Sequence, residues 1–175
     1  MHDNTPPGTA AVRTIDLQVK RITTQDFAPF GTMIEAGEDG VPFGPGDAQL
    51  VLDRGKPRFY VMKLPGRPLG FRHITRHLAV TQCLASVGGQ PWLIAVAPPD
   101  NPDDPTAQPD PSRICAFRVE GDQAIMLARG TWHAGPFFEG CSQSFFNLEL
   151  TDTNVVDHHT KVLDRDFGMQ FRFML

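Results

Sequence analysis

The sequence lacks a long apolar run and a cluster of basic residues. No window of its 175 residues approaches the apolar length of a membrane span. Its N-terminus, MHDNTPPGTAAVRT, lacks the basic-then-apolar order of a signal peptide. The formal net charge is −4, and no basic run is present to neutralise phosphates. A cytoplasmic protein that binds neither membrane nor nucleic acid is therefore expected.

The sequence also lacks any closely spaced pair of cysteines. Its three cysteines, Cys83, Cys115 and Cys141, each lie within or beside an apolar run, and none has an adjacent basic residue. An odd number of cysteines without metal-binding spacing indicates reduced, packed thiols. A nucleophilic cysteine is the weaker interpretation, because no nearby cation would lower its pKa.

Long helical patterns alternating with strands are absent too, which excludes a doubly wound parallel sheet. Instead, short β-type runs follow one another, separated by Gly and Pro signals: PRFYVMKL, HLAVTQCLASV, WLIAVA, RICAFRV, QAIMLA and SQSFFNLEL. Strands at this spacing predict an all-β, mainly antiparallel sandwich or barrel.

A separate structural prediction is made for each of four segments outside these strands. Residues 1–14 are rich in Pro, Gly and Thr and are expected to be flexible, so that a single domain covers 15–175. A short N-terminal helix is predicted within 22–37. The Pro/Asp-rich stretch 98–112 is expected to be a surface loop, either a hairpin excursion or a lid. The tail, 152–175, is expected to form a C-terminal extension that packs on the barrel or on a second subunit.

Two segments far apart in the chain carry histidines at a recognisable spacing. In the first, Thr75 precedes His77 by two positions, and Gln82 and then a glycine follow. In the second, Gly130 precedes His133 by three positions. This arrangement resembles the two-part cupin pattern H-x-H-x3–4-E-x6-G and G-x2-H on strands of a jelly-roll barrel. Residues two apart face the same side of a strand, so the pattern predicts that both histidines line one cavity.

Two of the pattern's four metal-ligand positions carry other residues here. Thr occupies the position of a histidine, and Gln occupies the position of the glutamate. If a metal is bound, His77, Gln82 and His133 are the candidate ligands, but this set has no anionic member to offset the charge of a cation. Hydrogen bonding and proton transfer around a small polar ligand are the favoured use, with no cofactor. His73 and the adjacent pair His158 and His159 are interpreted as structural or surface residues.

Three blocks of the sequence resemble one specific family. LQVKRITTQDFAPFGTMIEAG, TRHLAVTQCLASV and CAFRVEGDQAIMLARGTWHAGPFF are similar, in this order, to segments of the bacterial ureidoglycolate lyase family. The resemblance implies a cupin-type jelly-roll β-barrel, usually a homodimer, that splits (S)-ureidoglycolate into glyoxylate and urea during allantoin breakdown. The positions that match the family's motif residues are Arg76, His77, Gln82, Gln123 and His133.

The sequence departs from the family at three places. Thr75 replaces a glutamate before Arg-His, and Ala134 replaces the second of two consecutive histidines. The family's Asp-Arg-Gly-Gly stretch is LELTDT here, which leaves Glu149 near the acid's place as a further candidate for substrate binding.

The chemistry that the resemblance implies needs a base, a proton donor and a cation for the substrate carboxylate. His77 and His133 are the candidate acid and base, because imidazole both accepts and donates a proton near neutral pH. The order of the two roles is left open.

The remaining candidates are substrate-binding groups. Arg76 is a candidate for the carboxylate, although alternation with its neighbouring histidine predicts that it faces outward. Arg72 and Lys63 are therefore candidates for the same role. Gln82 and Gln123 are candidates to bind the ureido group through their amides.

Two other functions stay open at this point. One is a metal-dependent cupin enzyme that acts on another small organic acid. The other is a cupin that binds a small anionic ligand without turnover, which the departures at Thr75 and Ala134 favour.

Overall fold

Two curled β-sheets form the framework of the computed structural model, which describes residues 11–175. The strands are β1 (Arg13–Arg21), β2 (Gly31–Ile34), β3 (Pro57–Pro65), β4 (Gly70–Phe71), β5 (His73–Arg76), β6 (Gln82–Ser86), β7 (Trp92–Ala97), β8 (Cys115–Val119), β9 (Ala124–Leu127), β10 (Trp132–Phe137), β11 (Ser142–Leu150), β12 (His159–Val162) and β13 (Met169–Met174). Three short helices accompany them: α1 (Thr24–Phe27), α2 (Thr153–Val156) and α3 (Leu163–Phe167).

The larger sheet has the strand order β12-β5-β10-β7-β8-β1-β13-β4, and the smaller sheet has the order β2-β9-β6-β11-β3. All pairings are antiparallel except those of β1 with β8 and with β13. The cupin-like all-β fold that the sequence predicts is therefore confirmed, with two parallel contacts at one side of the larger sheet.

Alternation along β3 and β11 explains how the smaller sheet presents side chains to the interior. Along β11, buried and more exposed residues alternate, so that Phe145, Asn147 and Glu149 point inward. On β3, which pairs with β11, Tyr60 and Met62 are less exposed than their neighbours. The same strands thus carry apolar side chains to the core and polar ones to a cavity.

Apolar side chains form two core clusters, one on each face of the larger sheet. The cluster around Phe27, Ile94, Phe117 and Phe145 fills the space between the sheets. The second cluster includes Trp132, which is completely buried. Because hydrophobic residues lie on both faces of β7, this strand is an uninterrupted apolar run in the sequence.

The N-terminal end of the described chain differs from the expectation, whereas the C-terminal extension packs on the barrel as expected. Strand β1 takes in Arg13 and Thr14, which the sequence assigned to a flexible segment; residues 1–10 of that segment lie outside the described residues. The predicted C-terminal extension is part of the larger sheet, because β12 pairs with β5 and β13 pairs with β1. Sequence analysis missed this because both strands are short and follow helix-like polar segments.

The predicted N-terminal helix is confirmed as the single turn α1. Thr23 caps it by accepting a hydrogen bond from the backbone N–H of Asp26 at 3.1 Å. Across residues 11–175, the helices are all too short to cross a membrane.

Candidate active site

The two histidines of the sequence pattern lie next to each other. His77 directly follows β5, and His133 is the second residue of β10, the neighbouring strand of the larger sheet. The two strands are antiparallel, with Thr75 opposite His133. The imidazole rings are 5.1 Å apart between centroids. Both side chains are buried to at least nine-tenths, so the site is a shielded pair of imidazoles.

Gly130 joins the two halves of the pattern. Its backbone N–H donates a hydrogen bond to the carbonyl oxygen of His77 at 2.7 Å. Its φ of +81° lies in the left-handed region, and a Cβ at this position would lie 2.7 Å from the side chain of Pro102. Glycine is therefore required here by both the backbone conformation and the close approach of the loop 98–112.

Backbone carbonyls fix the tautomer of both rings. The Nδ1 of His77 lies 2.6 Å from the carbonyl oxygen of Asp157, and the Nδ1 of His133 lies 3.1 Å from that of Thr131. A carbonyl oxygen only accepts hydrogen bonds, so each Nδ1 carries the proton and donates it. This leaves Nε2 of each neutral ring as the acceptor for a ligand.

Burial keeps the two imidazoles neutral, but to different degrees. Burial, reinforced by the neighbouring His77 and His158, lowers the pKa of His133 to about 3. Burial also lowers the pKa of His77, where the carbonyl and carboxylate of Asp157 and the carboxylate of Glu149 oppose the effect. A proton is therefore held more easily on His77 than on His133.

Both rings line a cavity of about 320 Å³, which we call the histidine cavity. It lies between the inward face of β3 and β11 and the larger sheet. Its other lining residues are Tyr60, Met62, Leu64, Pro65, Arg67, Gln82, Leu84, Gly135, Pro136, Asn147, Asn154 and His158.

Two amide oxygens in the histidine cavity are buried and have no hydrogen-bond partner. They are Oε1 of Gln82 and Oδ1 of Asn147. The amide nitrogens point the other way: Gln82 donates to Glu149 at 2.9 Å, and Asn147 donates to the Tyr60 hydroxyl at 3.0 Å. Buried polar atoms are normally paired, so these two acceptors remain available to a hydrogen-bond donor.

Glu149 fixes the orientation of both amides from behind the cavity wall. Its carboxylate is almost completely buried and accepts hydrogen bonds from Gln82 and, at 3.0 Å, from the Tyr60 hydroxyl. Asn154 donates a third, at 3.2 Å. Burial and the carboxylate of Glu149 raise the pKa of Tyr60, so its hydroxyl stays protonated. Because a carboxylate only accepts hydrogen bonds, the Gln82 nitrogen faces Glu149 directly, and the Asn147 nitrogen faces the Tyr60 hydroxyl that donates to Glu149. In both amides the oxygen therefore points away from these partners.

Asp157 holds the segment that carries His77. Besides the contact of its carbonyl with the ring, its carboxylate accepts hydrogen bonds from the backbone N–H groups of Leu78 and Ala79 at 2.7 and 2.8 Å. Its side chain also lies 3.3 Å from Nε2 of His159. One buried residue therefore sets both the tautomer of His77 and the course of the chain after it.

The structure brings some of the sequence candidates together and separates others. His77, Gln82 and His133 line the histidine cavity, whereas Glu149 lies one layer behind it. Gln123 is remote, because its amide bonds to Glu35 at 2.8 Å and to the backbone of Glu120.

The three cations that the sequence offered for a carboxylate lie elsewhere. Lys63 points to the exposed face of β3, as alternation requires. Arg76 faces away from the cavity but is completely buried rather than solvated, with its guanidinium 4.5 Å from the Trp132 ring and a hydrogen bond to the carbonyl of Asp104. The outward orientation was expected; the covering by loop 98–112 was not. Arg72 lies at an adjoining compartment.

Sequence analysis missed Arg67, Tyr60, Asn147 and His158. Arg67 donates to the carbonyl of Pro136 at 3.1 Å, and its guanidinium lies 3.9 Å from the ring of Phe137. Period-two alternation on β3 and β11 marks Tyr60 and Asn147 as inward residues, so this signal was present. His158, interpreted as structural, instead lines the cavity, with its ring 5.8 Å from that of His77. It directly precedes β12, so its side-chain direction does not follow the alternation of a strand.

A second compartment, of about 420 Å³, adjoins the histidine cavity between β5 and β10. It shares Arg67, His133, Gly135 and His158 with that cavity. We call it the arginine compartment, because Arg67 and Arg72 both line it. Its other lining residues are Gly70, Phe71, His73, Thr75, Ala134 and Phe137.

The donor set does not fit a tightly held divalent cation. Within the described part of the chain, no group of three or more His, Cys, Asp or Glu side chains is placed to hold a metal. His77, His133 and the amide oxygen of Gln82 are neutral donors, and the Glu149 carboxylate is taken up by hydrogen bonds. No free anionic ligand offsets a divalent charge.

The fold and site define a cupin-like all-β protein with a polar ligand cavity around two neutral imidazoles. Residues 14–164 match the family described as ureidoglycolate lyase. The ureidoglycolate lyase of Azotobacter vinelandii is 29% identical over 129 residues, which cover 67% of this chain and 74% of the relative. That of Pseudomonas aeruginosa strain LESB58 is 30% identical over 130 residues, or 67% and 73% of the two chains. The chain belongs to the ureidoglycolate lyase family and is an enzyme of the lyase class.

Proposed function

We propose that this enzyme cleaves ureidoglycolate to glyoxylate and urea by proton transfer without a metal, as a step of allantoin breakdown. The observation that carries the proposal is the pair of unpaired, buried amide oxygens beside two neutral imidazoles. Ureidoglycolate has a ureido group with N–H donors, a carbinol hydroxyl and a carboxylate. Each of these groups has a counterpart in the histidine cavity.

The ureido group donates to Oε1 of Gln82 and Oδ1 of Asn147. Both acceptors are held in place through Glu149, directly for Gln82 and through the Tyr60 hydroxyl for Asn147. Glu149 is thus a positioning residue that keeps the amide oxygens, rather than the nitrogens, toward the substrate. A pocket of fixed acceptors discriminates against analogues without N–H groups, because such analogues leave buried acceptors unpaired.

Arg67 binds the carboxylate. It lies at the wall of the histidine cavity, and no carboxylate of the described residues lies within ion-pair distance of it. The carbonyl of Pro136 and the ring of Phe137 hold the guanidinium without neutralising it. Partial burial lowers the pKa of Arg67 but leaves it a cation at neutral pH. A planar guanidinium suits a carboxylate because it donates two parallel hydrogen bonds.

His77 transfers the proton. Its Nε2 accepts the carbinol proton, the carbonyl of glyoxylate forms, and the bond from carbon to the ureido nitrogen breaks. The imidazolium then returns the same proton to that nitrogen, so urea leaves neutral and no net proton is taken up. The carbonyl and carboxylate of Asp157 stabilise the transient cation. His133, which stays neutral, accepts a hydrogen bond from the substrate and orients it.

The test is urea release from ureidoglycolate by two matched variants, Gln82→Met and Gln123→Met. Both replace a buried glutamine by a side chain of similar size, but only Gln82 lines the cavity. Loss of one substrate hydrogen bond predicts a fall in kcat/KM of about tenfold for Gln82→Met. The Gln123→Met enzyme, compared at equal folded concentration, keeps its kcat/KM. Equal losses in both variants would contradict the proposed cavity.

A second variant, His77→Ala, tests the chemistry. Removal of a group that transfers a proton predicts a loss of at least about a hundredfold in kcat. Metal analysis of enzyme purified without added ions tests the metal-independent mechanism, because stoichiometric transition metal in active enzyme would refute it.

A further inference from the structure

The arginine compartment combines two cations with the absence of any lining carboxylate. Arg67 and Arg72 are its two charged lining residues, and the lining contains no Asp or Glu side chain. Every charged group on its wall is therefore positive. Such a surface concentrates anions and holds an oxyanion through guanidinium hydrogen bonds.

Arg72 is only loosely engaged by the protein. Its nearest carboxylate partner is Asp164, at 3.7 Å, and its side chain is 63% exposed. An exposed contact of this length contributes little, so the guanidinium is free to turn toward a ligand. Arg67 has no carboxylate partner within the part of the chain that the structure describes.

The two compartments adjoin each other, because four lining residues belong to both. Arg67 and His133 are among them, so a ligand held at the catalytic pair borders directly on the arginine compartment. With Arg67 assigned to the first carboxylate and both cavity imidazoles neutral, Arg72 remains as an additional cation with no counterpart in ureidoglycolate.

We propose that the arginine compartment is a second anion subsite, which holds the distal carboxylate of a dicarboxylic ligand whose first carboxylate lies at Arg67. This inference rests on the proposed function in one respect, the placement of the first carboxylate. It widens the substrate class from ureidoglycolate to ureido acids that carry a second acidic group on the side facing β5.

The experiment is calorimetric titration of the wild-type enzyme with two matched series at constant ionic strength. The dicarboxylates malonate, succinate and glutarate are compared with acetate, propionate and butyrate, and inorganic phosphate is a separate probe. One additional charge-assisted contact predicts that at least one dicarboxylate binds about tenfold more tightly than its monocarboxylate counterpart. No gain for any dicarboxylate would overturn the proposal.

Three variants test whether the tighter binding of the dicarboxylate depends on Arg72. Arg72→Gln is expected to remove it while changing monocarboxylate affinity much less, and Asp164→Asn is expected to increase it by removing the competing carboxylate. Arg118→Gln is the matched control, because Arg118 is also an exposed arginine with a carboxylate partner, Glu120, but lies outside the compartment. A gain that survives in Arg72→Gln, or disappears equally in Arg118→Gln, would refute the subsite.

The phosphate probe distinguishes a free anion from a bridging ligand. If phosphate binding depends on Arg72 but no dicarboxylate binds more tightly than its monocarboxylate counterpart, the proposal of a ligand that bridges the two arginines is overturned. Turnover of ureidoglycolate is measured independently of these titrations. A failure of the lyase reaction and a failure of the second subsite therefore give different results.

Discussion

Low pH should destabilise this protein through His133, and a single substitution at this position measures the size of the effect. Burial lowers the pKa of His133 from 6.5 to about 3. Between these two values the unfolded chain binds a proton on this side chain that the folded chain does not bind. The free energy of unfolding therefore falls as the pH is lowered through this range.

The size of the effect follows from the two pKa values. At pH 5 nearly all unfolded chains carry the proton and nearly all folded ones do not. The contribution of His133 is a loss of about 2 kcal/mol between pH 8 and pH 5. The lowered pKa of His77 acts with the same sign. Neither histidine changes its protonation on unfolding at a pH above the pKa that histidine has in the unfolded chain. The contribution of both residues to the free energy of unfolding therefore reaches a plateau above neutral pH.

The assay is urea-induced unfolding of wild type and His133→Gln at pH 8 and pH 5. Glutamine keeps a neutral polar side chain at the site but does not titrate. The variant is expected to be less stable at pH 8, and its loss between pH 8 and pH 5 should be smaller than that of wild type by about 2 kcal/mol. An equal loss in the two proteins would refute the conclusion that a buried, neutral imidazole is maintained at this position.

Three further predictions follow from the contacts of the site. In Glu149→Gln, the acceptor that fixes both amides becomes an amide itself, so KM for ureidoglycolate should rise by about tenfold; an unchanged KM would remove Glu149 from its positioning role. Arg67→Lys should recover part of the kcat/KM lost in Arg67→Met, because lysine keeps the charge but not the planar pair of donors; equal activities would contradict carboxylate binding there. Burial raises the pKa of Cys83 to about 11, so iodoacetamide at pH 8 should label the exposed Cys141 first, as peptide mass spectrometry would show; faster labelling of Cys83 would contradict its burial.

Spacing along the chain was sufficient to predict that His77 and His133 lie side by side in one cavity. Residues that alternate on neighbouring strands of a barrel meet at its interior, so the two-part pattern could place His77 and His133 in one cavity. The same argument failed for Gln123, whose family position matched but whose amide bonds to Glu35 instead. A glutamine in a turn between strands does not follow strand alternation, so the direction of its side chain could not be predicted from the sequence alone.

The role that we propose for Arg67 could not be predicted for a related reason. Arg67 lies between β3 and β4, in a segment without regular alternation, and reaches the cavity because Pro136 and Phe137 hold its side chain there. Arg76, the neighbour of His77 in the sequence, was another candidate, and it packs on Trp132 beneath the loop 98–112. Because Arg76 immediately precedes His77, its side chain points to the opposite face of the sheet.

The sequence by itself determined the all-β class, the family and the two imidazoles, because each is written in local periodicity and in the spacing of a few residues. Only the tertiary structure decided how the side chains of the site are oriented. The orientation of Gln82 depends on a carboxylate from β11, and the tautomer of His77 depends on a carbonyl from the segment before β12. Such partners are distant in the chain and make contact only when the sheets close, so no pattern along the sequence records them.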